Sequence, residues 1–389
     1  MARQPTRLSN CHNILDLRAL ARQRLPDPLF NYLDGAAEDE FTAHRNTSAF
    51  DNDLLIPRCL VDVSAVSTRT TVLGQAIDWP VICSPAGSQR FYDAQGELAS
   101  ARAAAKAGTL YSLAAMSSHT IEDVSAASGG PKMFQFFIFR DRDLTRELIE
   151  RARQSGYKAL CLTVDVAVRG KRERELRSGM GLPMKFTPAS LASFALKPSW
   201  LYAHARTGAF SLPTFAARAG STHLLAQTQY LGSQLDTSVT WKDVGEFATQ
   251  WGGPFVIKGL LSADDARRAR DVGATAVMVS NHGGRQLDGA AAPFDMLPDI
   301  VAAVGDDVEV ILDGGVRRGV HVLKALARGA KACSVGRAYL FGLGAGGEAG
   351  AYRALQILRS ELVCAMQLSG CTDARHIPAS LSRRRQALT

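Results

Sequence analysis

The chain has 389 residues, 46% hydrophobic and 21% charged, with a net charge of +8. That length holds one large α/β domain or two ordinary ones, and the composition excludes a disordered chain. The basic excess favours an anionic partner such as a phosphate cofactor, an acidic substrate or a lipid surface; no zinc-finger, RNP-type or aromatic-plus-basic pattern points to nucleic acid.

Residues 1–79 hold an amphipathic helix over ILDLRALARQRL and a second helical stretch around FNYLDGAAEDEF. The opening MARQPTRLSNCHN lacks the apolar core of a secretory leader. No run of about 18 apolar residues predicts a membrane-crossing helix. From residue 80 onward, short apolar runs alternate with helical patterns. The runs are 80–86 (PVICSPA), 109–115 (TLYSLAA), 133–139 (MFQFFIF) and 159–165 (ALCLTVD), then 254–259 (PFVIKG), 276–281 (AVMVSN), 308–314 (VEVILDG) and 332–337 (ACSVGR). Helical segments such as GELASARAAAKAG, RDLTRELIERARQSG and SADDARRARDVG follow them and end on glycine, as helices feeding a strand do.

Strands that are apolar throughout are buried on both faces, as in a parallel sheet. Eight strand–helix units close most economically into a (β/α)₈ TIM barrel of the α/β class, with a doubly wound open sheet as the alternative. The chain is read as a single domain over 1–389: an N-terminal helical extension (1–79), a barrel (80–345) and a long insertion (176–235) after the fourth strand. The insertion contains no Asp or Glu but carries Arg177, Lys185, Lys197, Arg206 and Arg218 together with Trp200 and Tyr202. It reads as a mobile lid over an active site or as a membrane-surface segment. The closing Arg383, Arg384 and Arg385 read as a solvated, disordered end.

The seven cysteines are widely spaced without a C-x-x-C, which argues against disulfides and a zinc site and fits a reducing cytoplasm; no metal is expected. Cys83, Cys161 and Cys333 lie within apolar runs and are read as buried.

In such a barrel the active site lies at the carboxyl ends of the strands. Polar groups there include Gln135, Thr163, Asp165, Lys258, Ser280, His282 and Asp313. Gly314, Gly315 and Gly336 follow the last two strands, where backbone N–H groups can approach a phosphate and Arg317 and Arg337 can add charge; tight turns with surface arginines are the plainer reading. His282, three residues before Arg285, pairs a base with an anion-binding cation, as oxidation of a hydroxy acid requires. Asp165 ends strand four, placed to orient His282 and raise its pKa, or else to cap a loop. Lys258, ending strand five within an apolar run, needs an anionic partner. A Schiff base is one use, and an electron-rich cofactor is the other.

At SNHGGRQLDG and LDGGVRRGVHVLKALARGAKACSVGRAYLFGL the chain resembles the FMN-dependent α-hydroxy acid dehydrogenase family, over nearly its whole length. The resemblance implies FMN as cofactor and oxidation of an L-2-hydroxy acid, of the lactate, mandelate or glycolate kind, to a 2-keto acid. His282 is then the base and Asp165 its partner. Arg172 and Arg285 bind the substrate carboxylate, helped by Tyr32. Lys258 lies at the N1–C2 edge of the flavin and favours its reduced form, while Gln135, Thr163 and Ser280 hydrogen-bond the ring. Pro85, Ala86, Gly87 and Ala114 pack against it. Asp313 meets the ribityl chain, and Gly314, Gly315, Arg317, Gly336 and Arg337 hold the phosphate end. The sequence departs from the family pattern at Phe137, where a tyrosine is usual, and at Ala114 and Ala115, where a hydroxyl is usual. The lost phenol hydrogen bond is worth about 1–3 kcal/mol.

The resemblance also implies a homotetramer, peripheral attachment of the insertion to the inner face of the cell membrane, and a quinone as electron acceptor. The alternatives are an oxidase producing hydrogen peroxide, a different flavin reaction as in the type 2 isopentenyl diphosphate isomerases, and a non-catalytic flavin-binding protein. Retention of Arg172, His282 and Arg285 argues against the last two.

Overall fold

The computed structural model describes residues 7–181 and 184–385. Eight parallel strands close a barrel in chain order: β1 (Val81–Ala86), β2 (Tyr111–Ala114), β3 (Lys132–Phe136), β4 (Ala159–Thr163), β5 (Phe255–Leu260), β6 (Ala276–Val279), β7 (Glu309–Asp313) and β8 (Ala332–Val335). Closure is made by β8 against β1, with Cys333 opposite Val81.

The uniform burial of these strands follows from their two apolar faces. One face meets the barrel interior, where Ile82, Met133, Cys161, Val256, Met278 and Ile311 pack together. Val72, Leu73 and Ile77 join that cluster from the hairpin Thr70–Ile77, which stoppers the end away from the strands' carboxyl termini. The other face meets the surrounding helices α1 (Gly96–Lys106), α2 (Ile121–Ala127), α3 (Arg142–Gln154), α4 (Trp241–Trp251), α5 (Ala263–Asp271), α6 (Pro293–Val304), α7 (Gly319–Ala327) and α8 (Arg337–Leu368). Local chemistry starts several of them. Thr120, Asp141 and Ser262 each accept a hydrogen bond from the third helical N–H, satisfying a donor with no intrahelical partner.

The expected strands are all present; six are shorter at the carboxyl end, so Phe137 and Asp165 stand in the loops beyond β3 and β4, whereas β1 ends at Ala86 as expected and β5 continues past Lys258 to Leu260. The first amphipathic helix forms over Ile14–Arg24, with Ile14, Leu17, Leu20 and Ala21 buried. The second expected helical stretch is two helices, Asp27–Asp34 and Phe41–Ser48. Glu38 and Glu40 between them take positive φ, which a helix cannot accommodate.

Three further expectations are corrected. The insertion is helical, with Pro188–Ala195, Pro198–Ala205, Pro213–Ala216 and Leu224–Gln234, and the fourth unit's own helix, α4, follows it. α8 extends past residue 345, two helices joined across the non-helical Gly346 and Gly347. The terminal arginines are not a loose end: Ser382–Arg384 forms a strand against Asp53–Leu55, and Arg384 meets Asp295 at 2.7 Å. Cys83, Cys161 and Cys333 are buried thiols, as read from sequence.

Candidate functional site

At the carboxyl ends of the strands lies a cavity of about 260 Å³. Its wall includes Tyr32, Pro85, Ala86, Gly87, Ala114, Gln135, Phe137, Thr163, Arg172, Lys258, His282, Arg285, Asp313, Gly314, Gly315, Arg317, Gly336 and Arg337. Of the site residues expected from sequence, Asp165 and Ser280 alone stand behind this wall, each bonded to a member of it.

His282 follows β6 in a positive-φ conformation, φ 57°, that a non-glycine residue adopts only when its surroundings impose it. Asn281 supplies part of that constraint. Its side-chain oxygen accepts from Gly284 N–H at 3.1 Å, and its amide pairs reciprocally with Asn46 at 2.7 Å. His282 Nδ1 lies 2.9 Å from Asp165 Oδ1. An ionised carboxylate only accepts, so Nδ1 carries the proton and Nε2 keeps its lone pair.

Burial lowers the His282 pKa, with Lys258 and Arg172 adding positive charge; together they outweigh the upward pull of Asp165. Asp165 does raise the His282 pKa, as read from sequence, but burial outweighs it. Burial opposes ionisation of Asp165, yet His282 and Lys258 hold its carboxyl below the usual range. A neutral imidazole beside an ionised carboxylate is a base ready to accept a proton. Gly259 permits this approach: its φ is +114°, and a Cβ there would sit 2.7 Å from Asp165 Cβ.

Arg172 and Arg285 come together through Arg172 Nε, which donates to Arg285 O at 3.0 Å. Arg285 Nη1 donates to Tyr32 O and Gly35 O, each at 2.9 Å, and its guanidinium lies 5.1 Å from the Tyr32 ring centre. Burial and the neighbouring Arg285 push the Arg172 pKa down to about 9. A carboxylate entering here would relieve that repulsion. Two members of this cluster escaped the sequence reading. Arg169 also lines the cavity, and Glu175, 1% exposed, stands behind the arginines. Only the charge-rich string VRGKRERE marked them, and a run of that kind is usually a solvated face.

Deeper in the barrel, Lys258 Nζ lies 3.1 Å from both Ser280 Oγ and Asp313 Oδ2. Ser280 Oγ donates to Asp313 Oδ2 at 2.7 Å, and Ser84, also unforeseen, donates to Asp313 Oδ1 at 2.9 Å. Burial disfavours both charges, but each ion sustains the other: the Lys258 pKa is raised and that of Asp313 lowered. The pair therefore stays ionised, with the ammonium on the cavity wall.

The opposite side fits a phosphate-bearing group. Arg317 and Arg337 line the cavity without a carboxylate partner among the described residues. Burial pushes Arg317 down to about 10 and, with Arg285 and Arg317 as like charges, Arg337 down to about 9. Ser334 Oγ, on the same wall, is buried with no hydrogen-bond partner. Gly315 has φ +78°, and a Cβ there would lie 1.9 Å from Asn46 O, so only glycine brings this loop against the extension. His321 Nδ1 accepts Arg317 N–H at 3.3 Å; burial drives its pKa to about 3, keeping it the neutral acceptor this contact needs. Cations lacking counterions among the described residues, an orphaned hydroxyl and glycine backbone fit a phosphate group.

The remaining wall is apolar and comes from the insertion. Leu224, Thr228, Leu231 and Leu235 recur at helical spacing and face the cavity with Met180, Met184 and Leu212. Phe137 lines the same cavity, 6.0 Å from Phe139, which bridges to Leu235. The insertion is tied to the barrel by Arg90, whose guanidinium donates to Thr207 O, Gly208 O and Ala209 O, and by Trp200 Nε1, which donates to Phe91 O. Its outer helices leave Leu191, Leu196, Leu201 and Tyr202 exposed. Arg218 is not free to meet lipid, being paired with Asp141 and Glu147. No helix among the described residues is long and apolar enough to cross a membrane.

Comparison with known proteins agrees with this geometry. Residues 21–384 match the family model described as FMN-dependent dehydrogenase. An L-lactate oxidase of a Nostoc species is 41% identical over 379 residues, covering 96% of this chain and 99% of that protein. An L-lactate dehydrogenase of a Caulobacter species is 41% identical over 368 residues, covering 94% and 97%. Among solved structures, a monotopic membrane protein, (S)-mandelate dehydrogenase, superposes with a TM-score of 0.93 at 36% identity, covering 96% of this chain and all of that one.

Proposed function

The chain belongs to the FMN-dependent dehydrogenase family and is an FMN-dependent 2-hydroxy acid oxidoreductase; from that premise we propose that it oxidises an L-2-hydroxy acid with a bulky apolar side chain, of the mandelate kind, and passes the electrons to a quinone. The observation that carries this reading is a single cavity joining a base, an arginine pair and an apolar wall contributed by the insertion.

In this reading Arg172 and Arg285 grip the substrate carboxylate with charge-assisted hydrogen bonds, and Tyr32 packs beside them. His282 Nε2 takes the hydroxyl proton while Asp165 stabilises the imidazolium that results. The chemistry that FMN would supply when bound is acceptance of the α-hydrogen together with its two electrons, so that loss of this hydride and of the hydroxyl proton leaves the 2-keto acid. Lys258 offers its positive charge to the flavin edge, with Ser280 and Asp313 fixing the ammonium. Gln135 and Thr163 would hydrogen-bond the ring, Pro85, Ala86, Gly87 and Ala114 would pack on it, and Asp313 would serve the ribityl chain. Gly314, Gly315, Arg317, Gly336 and Arg337 would hold the phosphate. Phe137 and the insertion's leucines accommodate an aryl or long alkyl group.

Peripheral attachment through the exposed apolar helices 188–205 supports the choice of quinone, in company with the membrane protein that the chain superposes on. The identity to an L-lactate oxidase favours a second reading, in which oxygen takes the electrons and lactate is the substrate. A homotetramer is proposed with either. Anaerobic addition of L-mandelate, L-lactate and longer L-2-hydroxy acids tests the substrate: one of them bleaches the flavin absorption quickly, and failure of all of them refutes the reading. Admission of a quinone or of oxygen to the bleached protein then separates the acceptors. Flotation with anionic vesicles, lost on deleting residues 184–229, tests attachment; a deletion variant that still floats rules it out.

A further inference from the structure

Glu175 belongs to no step described so far, yet it is 1% exposed and its carboxylate is enclosed by guanidinium groups. Oε1 accepts from Arg285 Nη2 at 2.7 Å, Oε2 accepts from Arg169 Nη2 at 2.7 Å, and Arg172 Nη1 lies 3.8 Å away. All three arginines line the cavity, and Glu175 does not. A buried carboxylate costs free energy unless it is paired, and three like cations repel one another unless a negative charge lies among them. The arrangement solves both problems at once, from behind the surface that substrate meets.

The remaining hydrogen bonds show what Glu175 controls. Arg285 is fixed on its Nη1 by the Tyr32 and Gly35 carbonyls, so its other terminal nitrogen is set by Glu175 alone. Arg172 is held by the backbone carbonyl of Arg285 and by Gln286 Oε1 at 3.1 Å, and its Nη1 lies 3.8 Å from Glu175 Oε1. We propose that Glu175 is the positioning residue for substrate carboxylate binding: it fixes the Arg285 guanidinium by a hydrogen bond and draws in Arg172 by its charge, in the geometry that receives one carboxylate. The inference rests on the reading of these two arginines as the carboxylate site. Three guanidinium groups against one resident carboxylate leave positive charge for an incoming monocarboxylate without the mutual repulsion that would splay the arginines apart.

The test compares the FMN-loaded wild type with E175Q, which keeps the shape and removes the charge. Anaerobic stopped-flow reduction by L-mandelate gives a substrate Kd and a limiting rate. Titration with benzoylformate, a non-reducing 2-keto acid, gives a second Kd from perturbation of the flavin absorption. The expected result is a rise of at least tenfold in both Kd values, a limiting rate within threefold of wild type, and unchanged flavin content. E175D, which keeps the charge but withdraws it by one methylene, recovers at least half of the loss on a logarithmic scale. If E175Q does not fold, E175D carries the test, with Kd values raised about threefold at an unchanged limiting rate. Unchanged Kd values, or Kd, limiting rate and flavin affinity failing together, overturn the inference. If wild type binds benzoylformate but is reduced by no 2-hydroxy acid, the proposed function fails while the role of Glu175 is still read from the keto-acid titration.

Discussion

Replacing Asp165 by asparagine isolates the electrostatic part of the base. The shape and one acceptor oxygen are kept, so His282 Nδ1–H retains a partner at the 2.9 Å now spanned, but the charge is gone. When His282 Nε2 takes a proton, the imidazolium faces Asp165 with charge centres on the order of 4 Å apart. At an effective dielectric constant of about 20 that attraction is worth roughly 4 kcal/mol. Each 1.36 kcal/mol is about tenfold in rate, so the limiting rate of flavin reduction falls about a thousandfold. The sign on the pH axis is also fixed. Asp165 raises the His282 pKa, so its removal lowers that pKa, and the acid limb moves to lower pH while the plateau drops. The assay is anaerobic stopped-flow at saturating L-mandelate across pH 5–9, with flavin content checked by absorbance. A loss of less than tenfold in a fully flavin-loaded variant, or a limb moving to higher pH, refutes the argument.

In the wild type the neutral imidazole is the active form, and burial holds its pKa below the ordinary histidine value of about 6.5; kcat/KM therefore rises with pH through a limb centred below about 6.5, and a limb centred above it contradicts the burial argument. Arg317→Met removes an unpaired cation from the phosphate cradle and weakens FMN binding by about ten- to a hundredfold, read from the fluorescence of released flavin; unchanged affinity removes Arg317 from the cofactor site. Phe137→Tyr returns a hydroxyl to the cavity wall and raises kcat/KM for L-lactate by about fivefold or more, and no change in steady-state rates shows that the missing phenol carries no transition-state contact. Gly259→Ala puts a methyl group 2.7 Å from Asp165 Cβ at a φ of +114°, costing about 1–3 kcal/mol of stability and displacing Asp165, so its limiting rate falls with that of Asp165→Asn.

The barrel was legible because the strands are largely apolar runs and several of the helices between them stop on a glycine, two local signals that agree with the global fold. The helix α4 was missed because WKDVGEFATQW follows a long insertion with no strand of its own before it. The terminal strand was missed because SRR reads as solvated, and only Asp53 and Asp295, distant in sequence, draw it in. The cavity residues were legible because position does much of the selecting: a polar group just past an apolar strand can face little else but the barrel mouth. Ser84 lies within such a run and passed as strand interior. Glu175 and Arg169 lie in a charged string whose burial depends on three arginines converging, which one-dimensional spacing does not encode. The upward pull of Asp165 on the His282 pKa was legible, but not the burial that outweighs it or the proximity of Lys258 and Arg172, which arise only in three dimensions.

The reciprocal amide pair of Asn46 and Asn281 also sets an order of assembly. Asn46 lies in the extension, spans 235 residues to its partner, and its carbonyl abuts the Gly315 loop. On the ribosome the extension is made first, yet it has nothing to dock on until β6 and β7 have been synthesised and the barrel has begun to close. Contacts of such sequence separation form late. The loops that carry His282 and Gly315 thus acquire their final shape together, once the N-terminal extension has docked on the far half of the barrel.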